Sequence, residues 1–120
     1  MSRHSILTVS LLALGLALTP RLASAQKIVL ASVTLKETTE AAFYDETVEL
    51  VALSREESGC LSFNIQRKAD EPYTLVIHEV FTNEDAFKQH LEKPYVTSWF
   101  KRLEAVKASA MEIVSLEPLQ

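Results

Sequence analysis

The chain has 120 residues, with twelve Lys and Arg against sixteen Asp and Glu, a single Cys and a single Trp. That is enough for one small domain, and Cys60, having no second thiol, forms no intrachain disulfide. An acidic balance without a basic cluster argues against nucleic acid and anionic lipid as partners, and leaves small molecules and other proteins.

Residues 1–25, MSRHSILTVSLLALGLALTPRLASA, read as an export signal and are set apart from the fold. Arg3 and His4 make a basic start, Ile6 to Leu18 an uncharged apolar run, and Ala23-Ser24-Ala25 an A-x-A cleavage site. The apolar run is well short of the ~20 residues that a membrane-crossing helix requires. No Cys follows it for lipidation, and the twin arginines of the alternative export route are absent. The expectation is a secreted or periplasmic domain spanning 26–120, with no stable membrane insertion after cleavage. Loss of Arg3 and Arg21 takes the twelve basic residues to ten against sixteen acids, a formal −6.

From there strand and helix patterns alternate. KIVLASVTL (27–35) alternates Val29, Ala31, Val33 and Leu35 against a mixed set, as a strand does. TTEAAFYDETVELVALSREE (38–57) changes period: Tyr44, Val48, Val51 and Ala52 make an apolar stripe opposite Asp45, Glu49 and Glu56. Thr38 or Thr39 is the expected N-cap and Ser58-Gly59 the stop. CLSFNIQRKA (60–69) sets Leu61, Phe63 and Ile65 against Cys60, Ser62, Asn64 and Gln66, and DEPY turns it into a second strand, TLVIHEVFT (74–82). Asn83, Glu84 and Asp85 open a helix reaching about Glu92, and Pro94 restarts one with Tyr95, Trp99, Leu103 and Val106 on a stripe. SAMEIVSLE (109–117) closes as a strand. The order β-α-β-β-α-β is that of an α+β, ferredoxin-like antiparallel sheet with its helices on one face.

The third strand is apolar on both sides: Leu75, Ile77 and Phe81 point one way, Val76, His78 and Val80 the other. Two helices cover one face only, so the other is expected to meet the same face of a second copy, giving a homodimeric α+β barrel with room for a ligand between sheet and helices.

Among the chemistry-bearing residues, His78 begins HEVFT, which has Thr82 where an H-E-x-x-H zinc motif needs its second His, and it sits in a strand pattern; no metal site is expected. His78 therefore reads as a sheet or interface residue. His90 lies between Phe87 and Leu91 on a helix face that meets the sheet, where an imidazole could serve as donor, base or axial ligand, or act as a capping or surface residue. Cys60 reads as a small buried hydrophobe, Tyr95 and Trp99 as packing, and Asn64 as a solvent-facing residue that a dimer could turn inward.

The segments SREESGCLSFNI (54–65) and HEVFTNEDAFKQHLEKPYVTSWF (78–100) resemble, in order and spacing, the antibiotic biosynthesis monooxygenase family of small dimeric α+β barrels. The first carries the family's R-x-E-x-G-C-L through Arg55, Glu57, Gly59, Cys60 and Leu61, with Phe63 as the strand aromatic. The second carries Glu79, Ala86, His90, Leu91 and Pro94 of its E-x-W…A-x-x-x-H-L-x-x-P-H pattern. Phe81 stands where the family usually has Trp, and Tyr95 where His is common. The resemblance implies oxidation of a quinol or polyphenolic aromatic by O₂ without a cofactor, with His90 as the catalytic base or orienter, Phe81 and Trp99 as substrate walls and Asn64 as a donor. A non-catalytic small-molecule-binding or stress-associated dimer is the alternative. Haem binding or degradation is disfavoured, because the haem-degrading branch adds a first-strand Asn and the strand Trp, and this chain keeps only the helix histidine, His90.

Overall fold

The computed structural model describes residues 25–120, so the export signal expected over 1–25 lies outside the described residues apart from Ala25. The elements are β1 (Lys27–Thr34), α1 (Ala41–Arg55), β2 (Cys60–Arg67), β3 (Thr74–Phe81), α2 (Glu84–Leu91), α3 (Pro94–Val106) and β4 (Glu112–Leu116). The strands form one antiparallel sheet in the order β2-β3-β1-β4, the split arrangement expected of a ferredoxin-like chain. Among the described residues no helix is long and apolar enough to cross a membrane.

The inner face of the sheet carries Val29, Ala31 and Val33 of β1, Phe63 of β2, and Leu75, Ile77 and Phe81 of β3, all buried. α1 and α3 complete this core with Phe43, Leu50, Val96, Trp99 and Leu103. Pro94 opens α3, where its missing N–H costs nothing in a first helical turn. Asn83 caps α2, its Oδ1 accepting a 2.8 Å hydrogen bond from Ala86 N, with Glu84 and Asp85 favourably placed in the first turn.

α1 departs from the expected pattern. Its buried stripe is Phe43, Thr47, Leu50 and Ser54, while Val48 is 69% exposed. Two hydroxyls occupy core positions that hydrophobicity alone assigns to Val and Ala. Thr47 is satisfied there: its Oγ1 donates to Phe43 O (2.8 Å) and accepts from Trp99 Nε1 (2.8 Å). Neither Thr38 nor Thr39 caps the helix; Glu40 takes that position without a side-chain hydrogen bond, and the Thr39 hydroxyl donates back to Lys36 O.

Gly59 also serves a different purpose from the helix stop expected of it. Its φ is not positive, so no left-handed cap is made. The glycine is needed for space, because a Cβ there would stand 2.5 Å from Ala86 Cβ. This close approach lets the α1–β2 connection pack directly on α2. Next to it a bulge between Cys60 and Ser62 shifts the register on β3. Cys60 thus packs against the core with Phe63 and Ile65, and Leu61, expected on their face, is 53% exposed.

The outer face has no layer over it among the described residues. In register across it lie Val80, Ile28 and Leu116, then Asn64, His78, Leu30 and Val114, with Val76 beside Gln66 and Ser32. Every residue of β4 is exposed.

Candidate active site

Between the sheet and the helices lies an apolar cavity of about 350 Å³. Phe63 and Ile77 of the sheet form its floor, and Leu50, Val96 and Trp99 of the helices its roof. Its mouth is marked by the lining residues that are exposed, Ile113 of β4, Leu91 of α2 and Phe100 of α3. At the deep end two titratable side chains reach the wall, Glu79 of β3 and His90 of α2.

His90 is 2% exposed and packed among rings, with Phe81 at 4.8 Å and Phe63 at 5.3 Å between centroids. Its orientation is fixed by Glu57, in the connection that Gly59 holds against α2. Glu57 Oε2 lies 2.9 Å from His90 Nδ1 and accepts a 2.5 Å hydrogen bond from the Tyr95 hydroxyl. A carboxylate only accepts, so in the neutral imidazole Nδ1 carries the hydrogen and Nε2 keeps a free lone pair. Nε2 faces Glu79 Oε1 at 3.9 Å, beyond hydrogen-bonding distance.

Glu79 is 8% exposed, and its Oε1 is buried without a hydrogen-bond partner among the described residues. Burial, and then the negative charge of Glu57, push its carboxyl up to about 7. The same two influences raise Cys60, burial first, so its thiol is held in the unreactive form. Tyr95 is raised by burial and then by its hydrogen bond to Glu57, and stays a phenol donor.

The residues singled out in the sequence divide three ways. His90 and Trp99 line the cavity, Trp99 with its indole anchored on Thr47 and stacked on Phe43 at 5.7 Å. Phe81 is fully buried and supports His90 from behind without lining the cavity. Asn64 does not join the site: it lies on the outer face in register with His78, and its Oδ1 accepts from Arg55 Nη2 at 2.8 Å. The alternation of β2 forces this, since Phe63 faces inward. His78 likewise lies outside, and with it the start of the HEVFT segment.

Sequence reasoning missed the site roles of Glu57, Glu79 and Tyr95. Glu79 had a legible signal, because it shares the inward positions of β3 with Leu75, Ile77 and Phe81, where a lone carboxylate has no reason of packing to be. Glu57 and Tyr95, 38 positions apart, meet only in three dimensions.

The sequence profile of the antibiotic biosynthesis monooxygenase family matches residues 28–102. Solved structures share the architecture. An antibiotic biosynthesis monooxygenase candidate from Nitrosomonas europaea aligns over 80% of this chain and 92% of its own, with 21% identity and a TM-score of 0.74. A protein from Pseudomonas aeruginosa aligns over 81% and 97%, with 23% identity and a TM-score of 0.73. At such identities the likeness is one of fold. No curated protein sequence matches the chain.

Proposed function

Because the chain belongs to the antibiotic biosynthesis monooxygenase family, we propose that its cavity oxidises a quinol or polyphenolic aromatic with O₂, the substrate supplying the electrons. The observation that carries this reading is the pairing of a roughly ring-sized apolar cavity with a buried, carboxylate-oriented imidazole at its inner end. His90 Nε2 takes the proton of a ring hydroxyl, and Glu57 stabilises the imidazolium that forms, as the acid of a catalytic triad does. The electron-rich phenolate then reacts with O₂. One oxygen atom ends as a ring carbonyl and the other as water, and the four electrons come from the ring, which becomes a quinone. Phe63, Ile77 and Trp99 keep water away from the reacting ring.

A non-catalytic binding domain is the second reading. It is favoured by Phe81 and Tyr95, which replace the residues usual in the family, and by the turning of Asn64 away from the cavity. Oxygen uptake by purified protein against a panel of quinols and polyphenols, run beside a haemin titration, separates the readings. Uptake with at least one phenol and none with its methyl ether is the expected result. Silence in uptake, with ligand binding intact, favours the binding domain, and a Soret shift favours haem.

The same proposal includes export and self-association. The mature protein starts at Gln26 outside the cytoplasm, and N-terminal sequencing of the exported product is expected to read Gln-Lys-Ile-Val. The outer sheet face pairs with that of a second copy, which covers Leu30, Val114 and Leu116.

A further inference from the structure

Glu79 has no function in the proton transfer just described, yet the fold places its carboxyl against the cavity wall at the deep end. Nothing around it satisfies Oε1. Burying a polar oxygen without a partner is unfavourable, and a leucine in its place would fill the same inward position without that cost. The gap between Oε1 and His90 Nε2 is 3.9 Å. Oε1 is closed to solvent as it stands, so a ligand oxygen that reaches Nε2 meets the Glu79 acid through a turn of its carboxyl group. The charged and titratable groups facing Glu79 are Glu57 from the α1–β2 connection, Cys60 from β2, His90 from α2 and, through Glu57, Tyr95 from α3. No Lys or Arg among the described residues pairs with it, so nothing there holds it in the charged form.

We propose that Glu79 works as a neutral carboxylic acid, donating its hydrogen to the same ligand oxygen that His90 Nε2 deprotonates, so that the cavity selects flat apolar ligands bearing an ionisable hydroxyl at their inner end. In this arrangement the hydroxyl hydrogen goes to Nε2 and the oxygen keeps the hydrogen bond from the Glu79 acid, which offsets the negative charge as it develops. The carboxyl of Glu79, held up to about 7, supplies that hydrogen at and below neutrality and loses it above. The inference rests on the reading of the cavity as a ligand site, but not on turnover.

The test is calorimetric binding of 2-naphthol and naphthalene to the whole protein, at several values between about pH 6 and pH 8.5, where 2-naphthol stays neutral. Wild type is expected to prefer 2-naphthol over naphthalene, with about tenfold of that preference, the worth of one hydrogen bond to a buried group, falling away as pH rises through about 7. Glu79→Leu should keep only the smaller preference that His90 Nε2 supplies by accepting the hydroxyl hydrogen, without the change near pH 7. Glu79→Gln, which keeps a donor that does not titrate, should restore the preference and hold it flat with pH, a behaviour that a merely structural glutamate would not produce. Wild type binding both compounds alike, binding neither, or Glu79→Leu keeping the full wild-type preference overturns the proposal. Hydroxyl-selective binding without oxygen uptake would leave this inference standing and remove the monooxygenase reading. Uptake unaffected by Glu79→Leu would do the reverse.

Discussion

Replacing His90 by Ala is expected to lower oxidation of a phenolic substrate by about 10²–10⁴, the usual contribution of a positioned general base. The fall should appear in kcat rather than KM, because the imidazole is needed only once the hydroxyl proton moves. Binding affinity is the readout if the protein turns nothing over. Alanine also leaves a void among Phe63, Phe81 and Phe87 and removes a partner from Glu57, so thermal stability drops as well. His90→Asn separates the two effects. Its amide can donate to Glu57 where Nδ1 did, but has no basic nitrogen toward the cavity. Stability should therefore recover in part while turnover stays low. His78→Ala, on the outer face, should leave the rate unchanged and act on stability or assembly. A His90→Asn protein as active as wild type would remove the residue-level basis of the monooxygenase reading.

The order of elements was legible because each boundary carried its own chemistry: alternation in β1 and β2, an acid-rich helix start after Thr82, Pro94 as a restart. The packing face of α1 was not. Periodicity ranks Val48 above Thr47, and only Trp99, 52 positions away, makes Thr47 the better core residue by meeting its hydroxyl. Leu61 and Cys60 were assigned to the wrong faces for a similar reason. A bulge inverts the alternation at that point, beside the close approach of Gly59 to Ala86, a contact across the fold. His90 and Trp99 stood out as a polar and a very large residue on apolar stripes, and both line the cavity. Asn64 was placed opposite Phe63 by alternation, as the structure has it, and only the resemblance and the expected dimer turned it toward a ligand. Glu57 was visible only as part of a motif, since its action on His90 depends on three connections that bring residues 57, 90 and 95 together.

Val80→Asp is expected to dissociate the protein. Val80 lies on the outer face between Ser62 and Ile28, in the row that ends at Leu116. If a second copy covers this face, the new carboxylate enters a dry interface. An unpaired buried charge costs several kcal/mol, on the order of the whole stability of a small dimer, unless the group takes up a proton. Light scattering should then report monomer or aggregate near neutral pH, with partial return of the dimer on acidification, since protonation removes the charge but leaves a polar group. The cavity lies on the opposite side of the sheet, so a folded monomer should still bind an aromatic ligand, with a weaker grip at the mouth where Ile113 of β4 is exposed. If Val80→Asp stays dimeric with unchanged melting temperature, the outer face is not the interface, and its exposed Leu30, Val114 and Leu116 must be covered by a partner of another kind.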